Sequence, residues 1–521
     1  MPFKRFGAVL LVLGAALLRT AGADEIAVIP KPANMVVLPG VFVVTPSVIV
    51  ITDGSAGAAA AGKALAGLFT RSGGFTLPLR PLASRAARRI LITSRGSDKS
   101  LGPEGYELRV TVDAVELRAP GSAGMFYGVQ TIRQLLPAAI DSDQRVPNAK
   151  WTIPCVRITD KPRFAWRGLL IDSSRTFEPM SYLKRCIDML ALYKMNVFHW
   201  HLTDDQGWRM EVSSLPRLTS VGSRFDERYN EFGGYYTQAE IRDFVAYAAA
   251  RHVTVVPEIE MPGHAAAALA AYPELSCAGE APVIFPFQAA LVPGLQPFNF
   301  CPGNEQTFRV LGSVLGELVK LFPSRYVHIG GDEVVKDRWK SCPKCQARMK
   351  SEHLANEGEL QSYFVKRIEK ILASKGRRLI GWDEILEGGL PPKAAVMSWR
   401  GTSGGLAAIR AGHDVVFSPY SHLYFDYPNE SYTTANVYSF EPMPDGLSGD
   451  EAKHVLGAQG NMWTHIARSE DAIDRQVFPR LIALYEVVWY PREARSFADF
   501  RNRAQAHLAR LDVLHVKHAA L

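Results

Sequence analysis

Residues 327–333, which read Val-His-Ile-Gly-Gly-Asp-Glu, contain the pattern that decides the fold. A short apolar run is followed by two glycines and two carboxylates, and helical sequence comes after them. The alternation of short strand and helix recurs through the second half of the chain, as expected of a parallel sheet. We predict eight such strands, at residues 167–171, 196–201, 253–259, 326–329, 378–381, 395–398, 414–418 and 455–459. Eight strands over about 300 residues predict a (β/α)8 TIM barrel, an α/β fold whose active site lies at the carboxyl ends of the strands.

Residues with ionisable or aromatic side chains follow every predicted strand. They are Asp172 and Arg175; His201, Asp204 and Asp205; Glu260 and His264; Asp332 and Glu333; Trp382, Asp383 and Glu384; Trp399 and Arg400; Tyr424 and Asp426; and Trp463. One tryptophan or aspartate at a strand end is usually explained by packing or helix capping. A barrel, however, brings all eight strand ends to one face. Sugar rings stack on indole and sugar hydroxyls need ionic partners, so the whole set predicts a carbohydrate site.

The pair Asp332 and Glu333 is the best placed for acid catalysis. Cleavage of a glycosidic bond needs a protonated carboxylic acid at the leaving oxygen. Two glycines before the pair permit a ligand to approach the backbone closely. Adjacent residues of an extended chain point in different directions, so the two carboxylates can serve different parts of a substrate. Two close carboxylates also raise the pKa of one of them, which favours a protonated Glu333.

The N-terminus predicts export. Lys4 and Arg5 precede an apolar run at residues 6–18, and residues 21–23 read Ala-Gly-Ala, the small-x-small pattern that signal peptidase cuts. The run is shorter than the ~20 residues of a membrane-spanning helix, and no later segment reads as a span. We therefore predict a signal peptide at residues 1–23 and a periplasmic or secreted bacterial protein. The single glycosylation sequon, at Asn429, is no more than chance would supply.

The remaining chain divides into two predicted domains, since 521 residues exceed what one core usually organises. Residues 24–155 mix strands and helices and predict a small α+β domain. Its predicted strands are 41–51, 89–93, 106–112 and 115–119, and its predicted helices are 58–70 and 123–136. Residues 156–521 carry the predicted catalytic barrel. The formal net charge of +7 is spread along the chain, so we expect no nucleic-acid partner.

Four of the six cysteines are disulfide candidates in an exported chain. Cys277 and Cys301 flank a Pro/Gly-rich insertion that a bridge would close. Cys342 and Cys345 form a Cys-Pro-Lys-Cys turn. We expect no metal at this turn, because no second cysteine or histidine pair lies nearby in the sequence. The other two, Cys155 and Cys186, lie among apolar residues and are expected to pack in the core.

Three long motifs, in this order along the chain, resemble the β-N-acetylhexosaminidases of glycoside hydrolase family 20. They are residues 198–209, Phe-His-Trp-His-Leu-Thr-Asp-Asp-Gln-Gly-Trp-Arg; residues 257–264, Pro-Glu-Ile-Glu-Met-Pro-Gly-His; and residues 328–333, His-Ile-Gly-Gly-Asp-Glu. The resemblance extends to the N-terminal region through residues 105–108 and 124–130. It implies an exo-acting enzyme that removes terminal β-linked N-acetylhexosamine with retention of configuration.

The resemblance also implies roles for individual residues. Glu333 would be general acid and then base, Asp332 would hold and polarise the substrate's acetamido group, and Tyr424 would bind the acetamide carbonyl. The acetamide oxygen would attack the anomeric carbon and form an oxazolinium, an exception to the scheme with two carboxylates. Further residues implied to bind or surround the sugar are Arg167, Asp204, His264, Trp382, Trp399, Asp426, Trp463 and His465, with His201 and Glu260 in support. No cofactor is implied.

Two positions depart from the family's pattern. Glu260 stands where the family frequently has the shorter aspartate, so the support of the acid is expected to be repositioned. His465 follows Trp463 where many members carry a glutamate. A neutral imidazole offers one acceptor where a carboxylate offers two acceptor oxygens, so contacts to the outer hydroxyls of the sugar are expected to differ.

Three other functions remain open at this stage. A metal-dependent hydrolase would use His199 and His201, which share a strand face, but later strands offer tryptophan where it would need ligands. A glycan-binding barrel without catalysis would need the tryptophans alone. A conventional retaining glycosidase would use Glu384 or Glu260 as its nucleophile. The natural glycan, the choice between GlcNAc and GalNAc, and the oligomeric state are not fixed by the sequence.

Overall fold

The computed structural model describes residues 26–224, 233–285 and 298–521. The predicted signal peptide lies outside the described residues. None of the helices within these ranges is both long and apolar enough to span a membrane.

The first domain is a seven-stranded sheet with helices packed against it. Its strands are β1 (Asn34–Val43), β2 (Ile49–Thr52), β3 (Leu79–Pro81), β4 (Arg89–Thr93), β5 (Tyr106–Val110), β6 (Ala114–Arg118) and β7 (Thr152–Asp160), in the order β1-β7-β5-β6-β4-β2-β3. Helices α1 (Ala56–Leu68) and α2 (Ser122–Leu135) pack on each other and on the sheet. The single strand predicted at 41–51 is wrong: β1 ends at Val43, and a turn separates it from β2. The predicted domain boundary at 155/156 falls inside β7, so the chain leaves this sheet only after Asp160.

The second domain is the predicted barrel. Its eight parallel strands are β8 (Trp166–Asp172), β9 (Val197–His201), β12 (Thr254–Glu258), β13 (Tyr326–His328), β14 (Arg378–Trp382), β15 (Ala395–Ser398), β16 (Val415–Phe417) and β17 (Val455–Met462). A small hairpin of β10 (Thr203–Asp204) and β11 (Gly207–Trp208) follows β9. Pairing of β17 with β8 closes the barrel, and all eight predicted strands are confirmed.

Helices cover the outside of the barrel and occupy its loops. They are α3 (Met180–Leu192), α4 (Arg217–Ser220), α5 (Gln238–Ala249), α6 (Ala266–Ala271), α7 (Glu305–Leu321), α8 (Asp337–Ser341), α9 (Pro343–Ser351), α10 (Glu357–Ser374), α11 (Ser403–Arg410), α12 (Tyr420–Leu423), α13 (Thr434–Ser439), α14 (Gly449–Ala452), α15 (Glu470–Val477), α16 (Arg480–Trp489) and α17 (Phe497–Val513). Their ends follow local rules. Thr237, for example, begins α5 with a capping box that includes Glu240.

Strand register places the polar residues of the barrel in one layer. Asp172 pairs with His201 across β8 and β9, His201 with Glu258, and Glu258 with His328. Below this layer the interior is apolar and includes Trp166, Leu170, Val197, Val256, Ile380 and Met397. The barrel is therefore a packed core with a charged floor near its carboxyl end.

Candidate active site

The turn after β13 carries the carboxylate pair on a strained backbone. Gly330 has a φ of +67° and Gly331 a φ of +95°, and Glu333 itself has a φ of +49°. A Cβ added at Gly330 would lie 1.6 Å from Oε2 of Glu260. The two glycines therefore make room for neighbouring side chains, where the sequence suggested room for a ligand. A residue other than glycine at positive φ costs on the order of 1–3 kcal/mol and is typical of functional sites.

Glu333 lies at the exposed end of a chain of ionisable groups. Its side chain is 62% exposed, and Oε2 is 3.6 Å from Nε2 of His264. Nδ1 of His264 lies 3.3 Å from Oδ1 of Asp204, and His264 also has a positive φ, +47°. Burial alone would lower the pKa of His264, but the Asp204 and Asp332 carboxylates raise it well above its usual value. His264 is thus positioned to hold a positive charge between Asp204 and Glu333.

Asp332 faces the interior of the site with one oxygen unpaired. Its side chain is 15% exposed, and Oδ2 lies 3.5 Å from Nε2 of His264, whereas Oδ1 is buried without a hydrogen-bond partner. Burial and then the charge of Asp332 raise the pKa of Tyr424 well above its usual range, so this phenol remains protonated and can donate. Asp332 offers an acceptor and Tyr424 a donor, the two contacts that an amide group requires.

Aromatic rings form the walls beside these groups. Ring centroids are 5.9 Å apart for Trp382 and Trp463, 6.0 Å for Trp399 and Tyr424, and 6.1 Å for Tyr424 and Trp463. Two further buried polar atoms at the carboxyl end of the barrel have no hydrogen-bond partner. They are the indole nitrogen of Trp382 and Oδ1 of Asp426. Buried polar atoms are nearly always paired, so unpaired ones at a strand end point to a ligand that pairs them.

The outer part of the site contains Asp426 and His465. Nε2 of His465 lies 3.8 Å from Oδ2 of Asp426. Burial raises the pKa of Asp426 to about 7. Burial, followed by the charge of Arg175, lowers the pKa of His465. At neutral pH the imidazole is therefore uncharged beside a carboxyl that is partly protonated.

The prediction that Arg167 binds the sugar is wrong. Arg167 is the second residue of β8, about 16 Å along the strand from Asp172 at the carboxyl end. Its guanidinium is fully buried and bound by Glu104 of the first domain, with an Nη2–Oε1 distance of 2.6 Å, and by the carbonyl oxygen of Phe164. Arg167 therefore joins the two domains at the amino end of the barrel.

The cation at the carboxyl end is Arg175, a residue that the sequence placed after β8 but to which no role was given. Its guanidinium lies 2.7 Å from Oδ2 of Asp204 and 3.3 Å from Oδ2 of Asp172, and 5.0 Å from the ring of Trp463. Its side chain is 13% exposed. Arg175 therefore reaches the site and orients Asp204. Its place after the first barrel strand, three residues after Asp172, was the signal that could have identified it.

Glu258, which sequence reasoning missed, organises the floor of the site. It lies 3.2 Å from Nε2 of His199 and 2.7 Å from Nδ1 of His328, and it also contacts His201 directly. His201 in turn lies 3.0 Å from Asp204. Burial alone would lower the pKa of His201, but Glu258 and Asp204 raise it to about 9, whereas burial lowers that of His199 to about 4. The two imidazoles that a metal-dependent hydrolase would use as ligands, His199 and His201, both contact the carboxylate of Glu258 instead.

Glu260 and Glu384, the alternative nucleophiles, are both buried carboxyls with raised pKa values. Glu260 is buried beneath Gly330, and burial together with the charge of Asp332 raises its pKa well above its usual value. Burial raises the pKa of Glu384 to about 7, and its Oε2 accepts a hydrogen bond of 3.0 Å from the Trp399 indole. A protonated carboxyl is a poor nucleophile, which disfavours Glu260, whereas Glu384 is partly ionised and bound to the Trp399 indole.

The four disulfide candidates lie together behind the carboxylate turn. All six cysteines of the chain are unbridged in the structure. The expectation that the Cys-Pro-Lys-Cys turn has no second cysteine pair near it is wrong: Sγ of Cys277 and Cys301 lie within 4.8 Å of those of Cys342 and Cys345. The bridge between Cys277 and Cys301 stays a prediction.

Comparison with known proteins agrees with this geometry over both domains. The catalytic-domain model of glycosyl hydrolase family 20 matches residues 164–492, and the model of domain 2 of that family matches residues 25–161. A β-hexosaminidase of Porphyromonas gingivalis is 45% identical over 79% of this chain, and the chain spans 54% of that protein's length. A β-N-acetylhexosaminidase of Cellulomonas fimi is 30% identical over 93% of this chain and 94% of its own length.

Solved structures give the same result. The GH20 β-N-acetylhexosaminidase of Streptomyces coelicolor A3(2) superposes with a TM-score of 0.84 at 31% identity, over 95% of this chain and 98% of that chain. A mutant β-hexosaminidase of Streptomyces plicatus in complex with its product GlcNAc superposes with a TM-score of 0.83 at 31% identity, over 95% of this chain and 97% of that one. The chain belongs to glycosyl hydrolase family 20.

Proposed function

We propose that this protein is an exo-β-N-acetylhexosaminidase that removes terminal GlcNAc or GalNAc by a retaining, substrate-assisted mechanism. The observation that carries the proposal is the set of unpaired buried polar atoms on Asp332, Trp382 and Asp426 beside an aromatic wall. A sugar with an acetamido group offers an N–H for the carboxylate, a carbonyl for Tyr424 and hydroxyls for Asp426.

The first step needs one acid and one oriented amide. The acetamide oxygen attacks the anomeric carbon while Glu333 gives its proton to the leaving glycosidic oxygen. The bond between the anomeric carbon and the glycosidic oxygen breaks. Asp332 accepts the amide N–H and so increases the nucleophilicity of the oxygen, and the phenol of Tyr424 fixes the direction of attack. Trp382, Trp399 and Trp463 surround the sugar and exclude water.

The second step uses the same residues in reverse. Glu333, now a carboxylate, takes a proton from a water molecule, whose oxygen attacks the anomeric carbon and opens the oxazolinium. His264, supported by Asp204, stabilises the negative charge that Glu333 carries after it has given up its proton. Two displacements at one carbon retain the configuration, and no cofactor takes part in either step.

Structural relatives support the substrate class. The mutant Streptomyces plicatus enzyme was solved with its product GlcNAc, and a Vibrio harveyi relative is named an N,N'-diacetylchitobiase. We therefore propose glycans that end in β-linked N-acetylhexosamine, chitooligosaccharides among them. Export directed by the predicted signal peptide, residues 1–23, would bring the enzyme to glycans outside the cytoplasm.

Hydrolysis of matched aryl β-glycosides tests the proposal. The aryl N-acetyl-β-glucosaminide and the aryl β-glucoside differ only in the group at carbon 2, so substrate assistance predicts turnover of the first and almost none of the second. Comparable turnover of both would instead indicate an enzymatic nucleophile. Binding of both without turnover would indicate a glycan-binding barrel.

A further inference from the structure

Four thiols from two distant parts of the chain form one compact group, which we call the four-cysteine cluster: Cys277, Cys301, Cys342 and Cys345. All four Sγ atoms lie within 4.8 Å of one another. Sγ of Cys345 is 3.7 Å from that of Cys277 and 3.5 Å from that of Cys301, and Cys301 is 3.8 Å from Cys342. Each thiol is therefore in van der Waals contact with another, and no pair is at bonding distance.

These separations match the edges of a metal tetrahedron. Zinc binds thiolates at about 2.3 Å, so the sulfurs of a tetrahedral tetrathiolate site lie about 3.8 Å apart. A disulfide requires about 2.05 Å, so a bridge would draw two of these sulfurs together by about 1.5 Å. We propose that the four-cysteine cluster is a structural Zn²⁺ site with four thiolate ligands.

The local backbone fits this type of site. Cys342 lies just before α9 and Cys345 in its first turn, with Pro343 between them at the first helical position. Two cysteines separated by two residues are the usual half of a structural zinc site, and the helix N-terminus favours thiolate charge. Gly303 brings the other half close, because a Cβ there would lie 2.4 Å from the backbone nitrogen of Cys345.

The surroundings are those of a closed structural site. Cys301 and Cys345 are fully buried and Cys342 nearly so, and Trp339, Met349 and Leu360 pack around them. Four protein ligands complete the coordination of zinc and leave no position for water or substrate. The site therefore contributes to folding and takes no direct part in the reaction.

The cluster joins two loops of the active site. The nitrogen of Phe300, next to Cys301, donates to the carbonyl of Pro262 at 2.9 Å, two residues before His264. Asn299 donates to the carbonyl of Val335 at 2.5 Å, two residues after Glu333. The Trp339 indole donates to the carbonyl of Phe300 at 3.1 Å. An ion at the cluster would hold the segments that carry His264 and Glu333 in one arrangement.

Metal content of the purified full chain is the first test. Elemental analysis should find one zinc ion per chain, and the double variant Cys342→Ser/Cys345→Ser should contain none. The matched control Cys155→Ser/Cys186→Ser removes the two cysteines outside the cluster and should keep the ion. Zinc retained by the first variant, or wild-type protein with four free thiols and no zinc after growth in zinc, would overturn the proposal.

The wild-type protein alone supplies a second test, which does not depend on a variant that folds. Titration with a mercurial reagent should release zinc in step with the modification of four thiols, as a coloured zinc indicator reports. The competing state in an exported chain is two disulfides among the four cysteines, such as the predicted Cys277–Cys301 bridge together with Cys342–Cys345. Intact mass under non-reducing conditions, lower by the four lost hydrogens, would establish the disulfides and refute the zinc site.

The effect of the zinc ion on the active site can be measured separately. This part of the inference rests on the proposed function, in which Glu333 is the acid. If the ion positions the acid, the zinc-free variant should lose roughly 10- to 100-fold in kcat on substrates with poor leaving groups, and much less on activated aryl glycosides. Equal losses on both would contradict the positioning role. Zinc content does not depend on activity, so this result and a failure of the proposed function can be told apart.

Discussion

The amino and carboxyl ends of the barrel both contain buried ionisable residues, but they differ in how some of these residues are paired. At the amino end, Arg167 is paired with Glu104, and Lys194 lies 3.2 Å from Asp160. At the carboxyl end, buried oxygens of Asp332 and Asp426 have no partner. Polar residues that satisfy one another stabilise a fold, whereas polar residues left unpaired in a buried place are available to a ligand. The two unpaired oxygens at the carboxyl end are therefore available to a ligand, unlike the ion pairs at the amino end and the pair of Arg175 and Asp204.

The largest effect is expected at the carboxyl end of the barrel, from the loss of the acid. Glu333→Gln keeps the shape of the residue and removes its proton, so kcat on glycosides with poor leaving groups should fall by about 10²- to 10⁴-fold. Activated aryl glycosides need little protonation and should be affected much less. Steady-state kinetics on the two substrate classes checks this, and equal losses on both would refute the assignment of Glu333.

A matched pair of arginine variants compares the two ends directly. Arg175→Met should reduce kcat/KM by roughly 10- to 100-fold, because it removes the charged contacts that orient Asp204. Arg167→Met should instead lower stability by about 3 kcal/mol, because it leaves the partly buried Glu104 unpaired. Denaturant unfolding and kinetics on the folded protein separate the effects. Normal stability together with lost substrate affinity in Arg167→Met would reverse the interpretation.

The pH dependence of substrate affinity tests whether Asp426 binds the sugar. Since burial raises its pKa to about 7, the carboxylate gains a proton as pH falls through neutrality and loses acceptor strength. KM should therefore rise roughly fivefold between pH 8 and pH 6, in line with the difference between charged and neutral hydrogen bonds. Asp426→Asn should flatten this profile at the higher KM. A wild-type KM that is constant over the range would contradict the role of Asp426.

The smallest expected effect concerns His465. Because burial lowers its pKa, the imidazole remains neutral near pH 7 and offers one acceptor at most. His465→Glu adds a second acceptor oxygen, and the ratio of kcat/KM for GlcNAc and GalNAc substrates should change by about two- to threefold. His465→Ala serves as the control for the loss of the ring. Unchanged ratios in both variants would mean that His465 is structural.

The barrel was predictable because its signal is local and repeated. Each strand is a short apolar run before a helix, and the barrel rule turns eight such runs into one face of polar side chains. Trp382, Trp399, Trp463, Asp332 and Glu333 could therefore be placed near one another from the sequence alone. The order of strands along the chain was sufficient, since neighbours in the chain are neighbours in the barrel.

The remaining features depend on register and on loop packing, which leave little trace in the sequence. The resemblance implied that Arg167 binds the sugar, but its place near the start of β8 puts its side chain at the amino end of the barrel. Glu258 lies in an apolar run, and only pairing across β9, β12 and β13 shows that it faces three histidines. Cys277 and Cys301 lie tens of residues before the pair Cys342 and Cys345, and their approach to this pair depends on Gly303, whose role only the structure reveals.

We propose that the unpaired groups at the carboxyl end bind the acetamido group and the hydroxyls of the sugar. A crystal structure with a thiazoline derived from GlcNAc, which mimics the bicyclic intermediate, tests it most directly. We expect the thiazoline nitrogen to lie within hydrogen-bond distance of Asp332, the Tyr424 hydroxyl to lie against the sulfur that replaces the acetamide oxygen, and the sugar to lie between Trp382 and Trp463. A thiazoline bound elsewhere, or in this site with the ring nitrogen away from Asp332, would contradict the account.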